Sequence, residues 1–177
     1  VHAQLLTESK MFAADANEYG KAPNTQISAI TLGHPGTLPK VNRKAIAYAI
    51  KMGLACNSEI TRHNVFARKN YFYPDLPKGY QLTQDKGPIC VGGTVPIQLA
   101  DGRKKDVILN RVHMEEDAGK SIHLAEEADT LVDFNRAGTP LIEIVTEPDI
   151  HSPEEAYAFL AEVKKLVKYL DICDGNM

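Results

Sequence analysis

Apolar and polar positions alternate at the very start of the chain, where Val1, Ala3 and Leu5 interleave with His2 and Gln4, which predicts a β-strand. Polar residues with Gly20, Pro23 and two asparagines then predict a loop over 15–26. The apolar run Ile27–Leu32 reads as a second strand, closed by the turn signal Gly33-His34-Pro35-Gly36. Asn42 is a favourable N-cap, and Ile46, Ala49, Ile50, Gly53 and Leu54 follow at helical spacing, so a helix is expected to end near Asn57. The middle of the chain changes period. Val95, Ile97 and Leu99 alternate, Asp101-Gly102 makes a hairpin turn, and Val107 through Met114 returns. A second hairpin is expected from Thr130–Phe134, a turn at Ala137-Gly138, and Pro140–Thr146. The sequence Ser152-Pro153-Glu154-Glu155 is a capping box with proline at the first helical position. The helix that it opens carries Ala156, Phe159, Leu160, Val163, Leu166, Val167 and Leu170 on one face, with Lys164, Lys165 and Lys168 toward its C-terminal end. Strands joined by short turns, with helices outside the run, predict an α+β fold built on a largely antiparallel sheet with flanking helices.

Composition narrows the function classes. With 177 residues, 20 Lys+Arg and 23 Asp+Glu, the formal net charge is −3, so the chain as a whole is not a polycation that grips phosphate backbones. Hydrophobic residues at 44% and charged residues at 24% are those of a globular domain and exclude a disordered chain. No apolar run approaches the ~20 residues that a membrane helix needs, and no secretory leader is seen. Cys56, Cys90 and Cys173 are an odd count at wide spacing, read as reduced thiols of a cytoplasmic protein. The chain opens without Met on half a strand and closes on Asp174-Gly175-Asn176-Met177. It therefore reads as a piece of a longer protein, with part of any active site expected elsewhere.

Three segments hold more polar chemistry than folding requires. In Arg68-Lys69-Asn70-Tyr71-Phe72-Tyr73-Pro74-Asp75, Lys69 could meet phosphates while Tyr71 or Tyr73 lies against a base or ribose; a solvated cation pair beside a core aromatic is the alternative. In His113-Met114-Glu115-Glu116-Asp117-Ala118-Gly119-Lys120, consecutive carboxylates at a strand end suit a hard divalent cation, or else an acidic surface turn. Strand alternation puts Glu115 on the side of Arg111 and His113, and Glu116 on the side of Met114. In the third segment, 133–149, Glu143 sits inside an apolar strand and must face a partner, a ligand or solvent, while Arg136 could pair with it or hold a phosphate. Ser9, Cys56 and the remaining histidines form no local nucleophile–base motif.

VHAQLLTESKMF, LPKVNRKAI, RKNYFYPDLPKGYQLTQ, NRVHMEEDAGKS and DFNRAGTPLIEIVTEPDIHSPEEA, in this order, closely resemble the B-subunit family of the aspartyl/glutamyl-tRNA amidotransferases (GatB). The resemblance covers nearly the whole chain. It implies part of a glutamine synthetase-like catalytic domain over 1–177, the cradle domain, with the family's downstream helical domain and tRNA-binding tail domain outside this sequence. It also implies a ligase subunit that uses ATP and Mg²⁺ to phosphorylate the side-chain carboxylate of misacylated Glu-tRNA(Gln) or Asp-tRNA(Asn). Ammonia from the glutaminase A subunit then displaces the phosphate, and a small C subunit joins the two. The implied partners are these subunits and misacylated tRNA, with no DNA and no membrane. Residue by residue, the resemblance implies His2 and Glu116 as metal ligands, with Glu115 the neighbouring candidate. Lys69 and Glu116 are the implied catalytic residues, Lys69 meeting phosphate; Tyr71 lines the same pocket, and we add Arg136 and Glu143 to it. Family chains carry an acidic residue before the Val-His and further acidic residues downstream, so the isolated fragment is expected to turn over poorly or not at all. The rival readings are a noncatalytic scaffold that docks the glutaminase and tRNA, and the archaeal glutamyl-tRNA-only relative.

Overall fold

The computed structural model describes residues 1–125 and 128–176. It is α+β, with two helices and mostly short antiparallel strands. In chain order the elements are β1 (His2–Gln4), α1 (Arg43–Ala55), β2 (Glu59–Ile60), β3 (Ala67–Asn70), β4 (Tyr80–Thr83), β5 (Cys90–Val91) and β6 (Thr94–Gln98). They continue as β7 (Lys104–Glu116), β8 (Lys120–His123), β9 (Thr130–Asp133), β10 (Pro140–Thr146) and α2 (Pro153–Tyr169). The main sheet runs β1-β10-β7-β5-β2, with β6 also paired to β7. The pairs β3–β4 and β8–β9 are separate two-stranded sheets.

Both helices begin as their caps dictate. The Asn42 side chain accepts from the backbone N–H groups of Lys44 and Ala45, and Ser152 Oγ accepts from Glu155. Ala45, Ala49 and Met52 of α1 and Phe159, Val163 and Val167 of α2 share one core with Ala3, Val112, Met114, Ile142 and Ile144 of the sheet. The helices therefore cover that face of the sheet, and the residues between those sheet positions point the other way.

Strand β7 is the long spine, and its core-facing parity changes along its length. Val107 and Leu109 are buried in its first half, Val112 and Met114 in its second. The change occurs at a bulge, where Val145 pairs with Arg111 but Thr146 pairs with Leu109, leaving Asn110 as the extra residue. On the far edge of β7, β6 pairs along 104–108 and β5 along 111–112. Gly92 and Gly93 make the offset between them, and Gly93 (φ +101°) could not carry a side chain, because a Cβ there would lie 2.5 Å from the Cys56 carbonyl oxygen.

Two expectations are corrected. The 130–134 run does not pair with 140–146: β9 pairs with β8, and β10 inserts between β1 and β7. Between β1 and β7, Pro140, Leu141, Ile142 and Ile144 of β10 are buried, which a partner as exposed as β9 could not achieve. Ile27–Leu32 is a series of turns, not a strand, because the Ser28 and Thr31 hydroxyls, three residues apart, both bond to Asp15 Oδ2.

The bulge yields a test. Deleting Asn110 forces one half of β7 into the wrong parity and should abolish the cooperative unfolding transition, as read by circular dichroism during denaturation. Asn110→Ala keeps the residue count and should cost no more than about 1 kcal/mol, the loss of two exposed bonds, from Asn110 Nδ2 to Glu147 Oε1 (2.7 Å) and from Arg111 Nη1 to Asn110 Oδ1 (3.4 Å).

Candidate metal centre

The register places three polar residues opposite one another across three strands: His2 pairs with Glu143, and Glu143 with His113. Glu115 follows His113 by one strand period. All four lie on the face turned away from the helices. The ligand-capable atoms of His2, Glu115 and Glu143 fall within 4.8 Å of one another. His2 Nε2 is 3.4 Å from Glu115 Oε2 and 3.7 Å from Glu143 Oε2. Glu115 and His113 are almost fully buried, while His2 remains half exposed and Glu143 partly so.

Outer partners fix these groups. Thr83 Oγ1 donates to Glu115 Oε1 at 2.6 Å. Arg111 Nε lies 3.2 Å from His113 Nδ1, and the other ring nitrogen, Nε2, turns its N–H toward the carboxylates. That Nε2–H lies between Glu115 Oε1 (3.2 Å) and Glu143 Oε2 (3.1 Å) and spans the two carboxylates. Burial alone would raise the Glu115 pKa. Hydrogen bonds from His113 and Thr83, helped by the charges of His113 and then Lys69, outweigh it and hold the carboxyl at about 2. Glu115 is thus an ionised, oriented carboxylate at neutral pH, suited to hold a cation.

Two carboxylates and an imidazole converging from one side fit a hard divalent cation that keeps its other positions for water or phosphate oxygens. His2 and Glu115 of the group line a cleft of about 870 Å³, which is also lined by Lys69, Tyr71 and Gln81 and, round the edge strand β1, by Leu160 and Val163 of α2. Lys69 and Tyr71 come from the β3 side of the β3–β4 hairpin, and the Tyr71 ring stacks on Tyr73 with centroids 4.6 Å apart.

The sequence-predicted residues divide. His2, Glu115, Lys69 and Tyr71 share the cleft, and Glu143 moves from a pocket residue to a member of the ligand group. Glu116 does not join His2: alternation turns it to the side of Met114, and its carboxylate is paired with Lys78 Nζ and with the Leu82 N–H (3.0 Å). Arg136 neither pairs with Glu143 nor lines the cleft. Its guanidinium donates to the carbonyls of Ala118 (3.0 Å) and Gly119 (2.6 Å) and so braces the turn after β7. Sequence reasoning missed Thr83 and the bridging role of His113. For His113 the period-two relation to Glu115 was a usable signal; for Thr83, on a separate hairpin, none existed.

The family model described as the GatB/GatE catalytic domain matches residues 1–177. The B subunit of the aspartyl/glutamyl-tRNA(Asn/Gln) amidotransferase from Desulfotalea psychrophila is 56% identical over the whole chain, which covers 37% of that protein. The proteins of the same name from Oleidesulfovibrio alaskensis (55%) and Pseudomonas syringae pv. syringae (54%) are likewise matched over the whole chain and 37% of their length. The chain thus spans little more than a third of the curated relatives that it matches. No helix among the described residues is long and apolar enough to cross a membrane.

The depressed Glu115 pKa sets a pH dependence. The unfolded carboxyl titrates near 4.5 and the folded one near about 2, so below pH 4.5 the unfolded chain binds the extra proton and stability falls until both forms are protonated. Denaturation midpoints measured in metal-free buffer should fall between pH 4.5 and 2, and Glu115→Gln should flatten that part of the profile.

Proposed function

The chain belongs to the GatB/GatE catalytic-domain family, and from that premise we propose that it forms part of the ATP- and Mg²⁺-dependent centre of a tRNA-dependent amidotransferase. The substrate of this reading is glutamate or aspartate wrongly esterified to tRNA(Gln) or tRNA(Asn). The observation that carries it is that His2 and Glu115, grouped with Glu143, line the same cleft as Lys69 and Tyr71. A cation-holding set beside a lysine and an aromatic ring is what triphosphate binding demands, and a docking scaffold needs none of it.

A carboxylate is a poor acyl donor because its leaving group would be an oxide dianion. In the proposed reaction a side-chain carboxylate oxygen attacks the γ-phosphorus of ATP, ADP departs, and an acyl phosphate forms. Ammonia then attacks the acyl carbon, inorganic phosphate leaves, and the excess proton passes to solvent or phosphate. Phosphoryl transfer of this kind is positioning and charge neutralisation, with no protein nucleophile. Mg²⁺ held by His2, Glu115 and Glu143 supplies neutralisation of phosphate charge when bound. Lys69 contributes a point charge toward the same phosphates, and the exposed face of Tyr71 offers a surface for a base or ribose. His113 and Thr83 keep the two carboxylates aimed together before any ligand arrives.

The antiparallel sheet with helices on one face serves here as part of a glutamine synthetase-like platform. The glutaminase A subunit, the small C subunit and misacylated tRNA are the proposed partners, and the cytoplasm, where aminoacyl-tRNA is made, the proposed location.

ADP release by the full-length complex, with and without misacylated tRNA, tests this reading. Release should depend on the misacylated tRNA. Lys69→Ala and Glu115→Gln should each lower it by about 100-fold or more while tRNA binding persists. Wild-type rates in both variants would refute the assignment.

A further inference from the structure

The hairpin that carries Lys69 toward the metal group has no strand ladder to the main sheet, since β3 and β4 pair only with each other. Its position is set by the bond from the Gly119 N–H to the Asp75 carbonyl (2.7 Å), by packing of Leu82 on the core and by a few side-chain ties. The densest are at Glu116. One carboxylate oxygen, Oε1, takes both the Lys78 ammonium and the Leu82 N–H, and the Glu116 carbonyl accepts from Gln81 Nε2 at 2.6 Å. Lys78 and Leu82 flank the start of β4, so one side chain grips the hairpin at two points. The pair is enclosed: the side chains of Glu116 and Lys78 are only 3% and 10% exposed. The Lys78 ammonium also lies 5.8 Å from the ring centre of Phe12 and 5.6 Å from that of Tyr80. Its aliphatic stem packs so closely on Gly33 that a Cβ there would approach Lys78 Cγ to 2.6 Å.

We propose that Glu116 and Lys78 form a buried clamp that sets where the β3–β4 hairpin, and with it Lys69 and Tyr71, stands relative to the His2–Glu115–Glu143 group. Both are positioning residues: they act through the hairpin and touch neither metal nor nucleotide. The proposal rests on the reading of the cleft as an ATP site and assigns Glu116 a different task from that of its neighbour Glu115. The two are linked at successive residues of one strand, because Leu82 bonds Glu116 while Thr83 bonds Glu115. A shift at the Lys78–Leu82 end of the hairpin therefore moves Lys69 relative to Glu115, whose own ion-holding face looks the other way. Removing either member of the clamp leaves the other as an unpaired buried charge, which the hairpin can relieve by swinging toward water. A displacement near 1 Å at a phosphate contact is enough to cost up to about 100-fold in a positioned reaction.

The test uses the full-length complex with Glu116→Gln, Lys78→Met and the double variant, with Glu115→Gln as reference. Mn²⁺ binding is followed by electron paramagnetic resonance, and KM for ATP is measured separately from kcat. Each single variant should raise KM for ATP by about tenfold or more and leave Mn²⁺ affinity within about twofold of wild type, whereas Glu115→Gln loses Mn²⁺ binding. The double variant, with no unpaired charge, should lose less than the product of the two single losses. If Lys78→Met does not fold, Lys78→Arg keeps the charge in a bulkier head and should show the same raised KM with retained Mn²⁺ affinity. Loss of Mn²⁺ binding in Glu116→Gln would make Glu116 a ligand and overturn the clamp, as would an unchanged KM in the folded single variants. Failure of the ATP reading is seen separately, because then Lys69→Ala also leaves ADP release unchanged.

Discussion

One extra residue in one strand decides which side chains meet. Before Asn110, the odd positions of β7 face the helices; after it, the even positions do. Without that bulge Arg111, His113 and Glu115 would follow Val107 and Leu109 into the helix-covered core, where no water or partner could satisfy them. With it, Val112 and Met114 take the core and the charged residues turn to the open face. β10 accepts the same parity, with Ile142 and Ile144 inward and Glu143 outward, and β1 extends it with Ala3 inward and His2 outward. The ligand group is thus a consequence of sheet register, three strands deep, and not of any loop.

Bringing two carboxylates within reach of one imidazole is unfavourable unless something offsets their repulsion. Part of the offset is permanent. The His113 Nε2–H spans Glu115 and Glu143, Thr83 donates to Glu115, and Lys69 adds a nearby positive charge. These donors hold Glu115 ionised despite its burial. They engage Oε1 of Glu115, leaving Oε2 on the side of His2, where a cation would be shared. The arrangement stands without any ion, so a cation placed there would require little reorganisation of these side chains.

What could be read in the sequence follows the range of the forces involved. The capping residues Asn42 and Ser152 fix both helix starts locally, and the Asp101-Gly102 turn fixes the β6–β7 hairpin, so these were legible. The pairing of β10 was not, because a strand apolar on both faces carries no mark of its neighbours, and β9 stood nearer in sequence. The turns at 27–34 were hidden because their cause, the Asp15 carboxylate, lies more than ten residues upstream. Within the site, alternation separated Glu115 from Glu116 correctly, while the choice of Glu116 as a ligand came from resemblance and not from parity. Glu143 was visible as a charge in an apolar strand. That it stands opposite both His2 and His113 required the strand order β1-β10-β7.

The adjacent pair Glu115-Glu116 shows why neighbours of identical chemistry take separate work. In an extended strand their side chains leave on opposite sides, so a single cation could not be gripped by both without breaking the ladder that pairs Leu141 with Glu115 and Pro140 with Glu116. One side opens to the cleft, and a carboxylate there can meet solvent ions and His2. The other is closed by the loop holding Phe12 and by the hairpin, and a carboxylate there is tolerable only with a cation sealed in beside it, which Lys78 provides. Because Leu82 and Thr83 reach one carboxylate each, the hairpin is tied to the end of β7 on both sides of that strand. A ligand that bridges the cation and Lys69 would then bind across a gap whose width is already fixed by a contact on the far side of the strand.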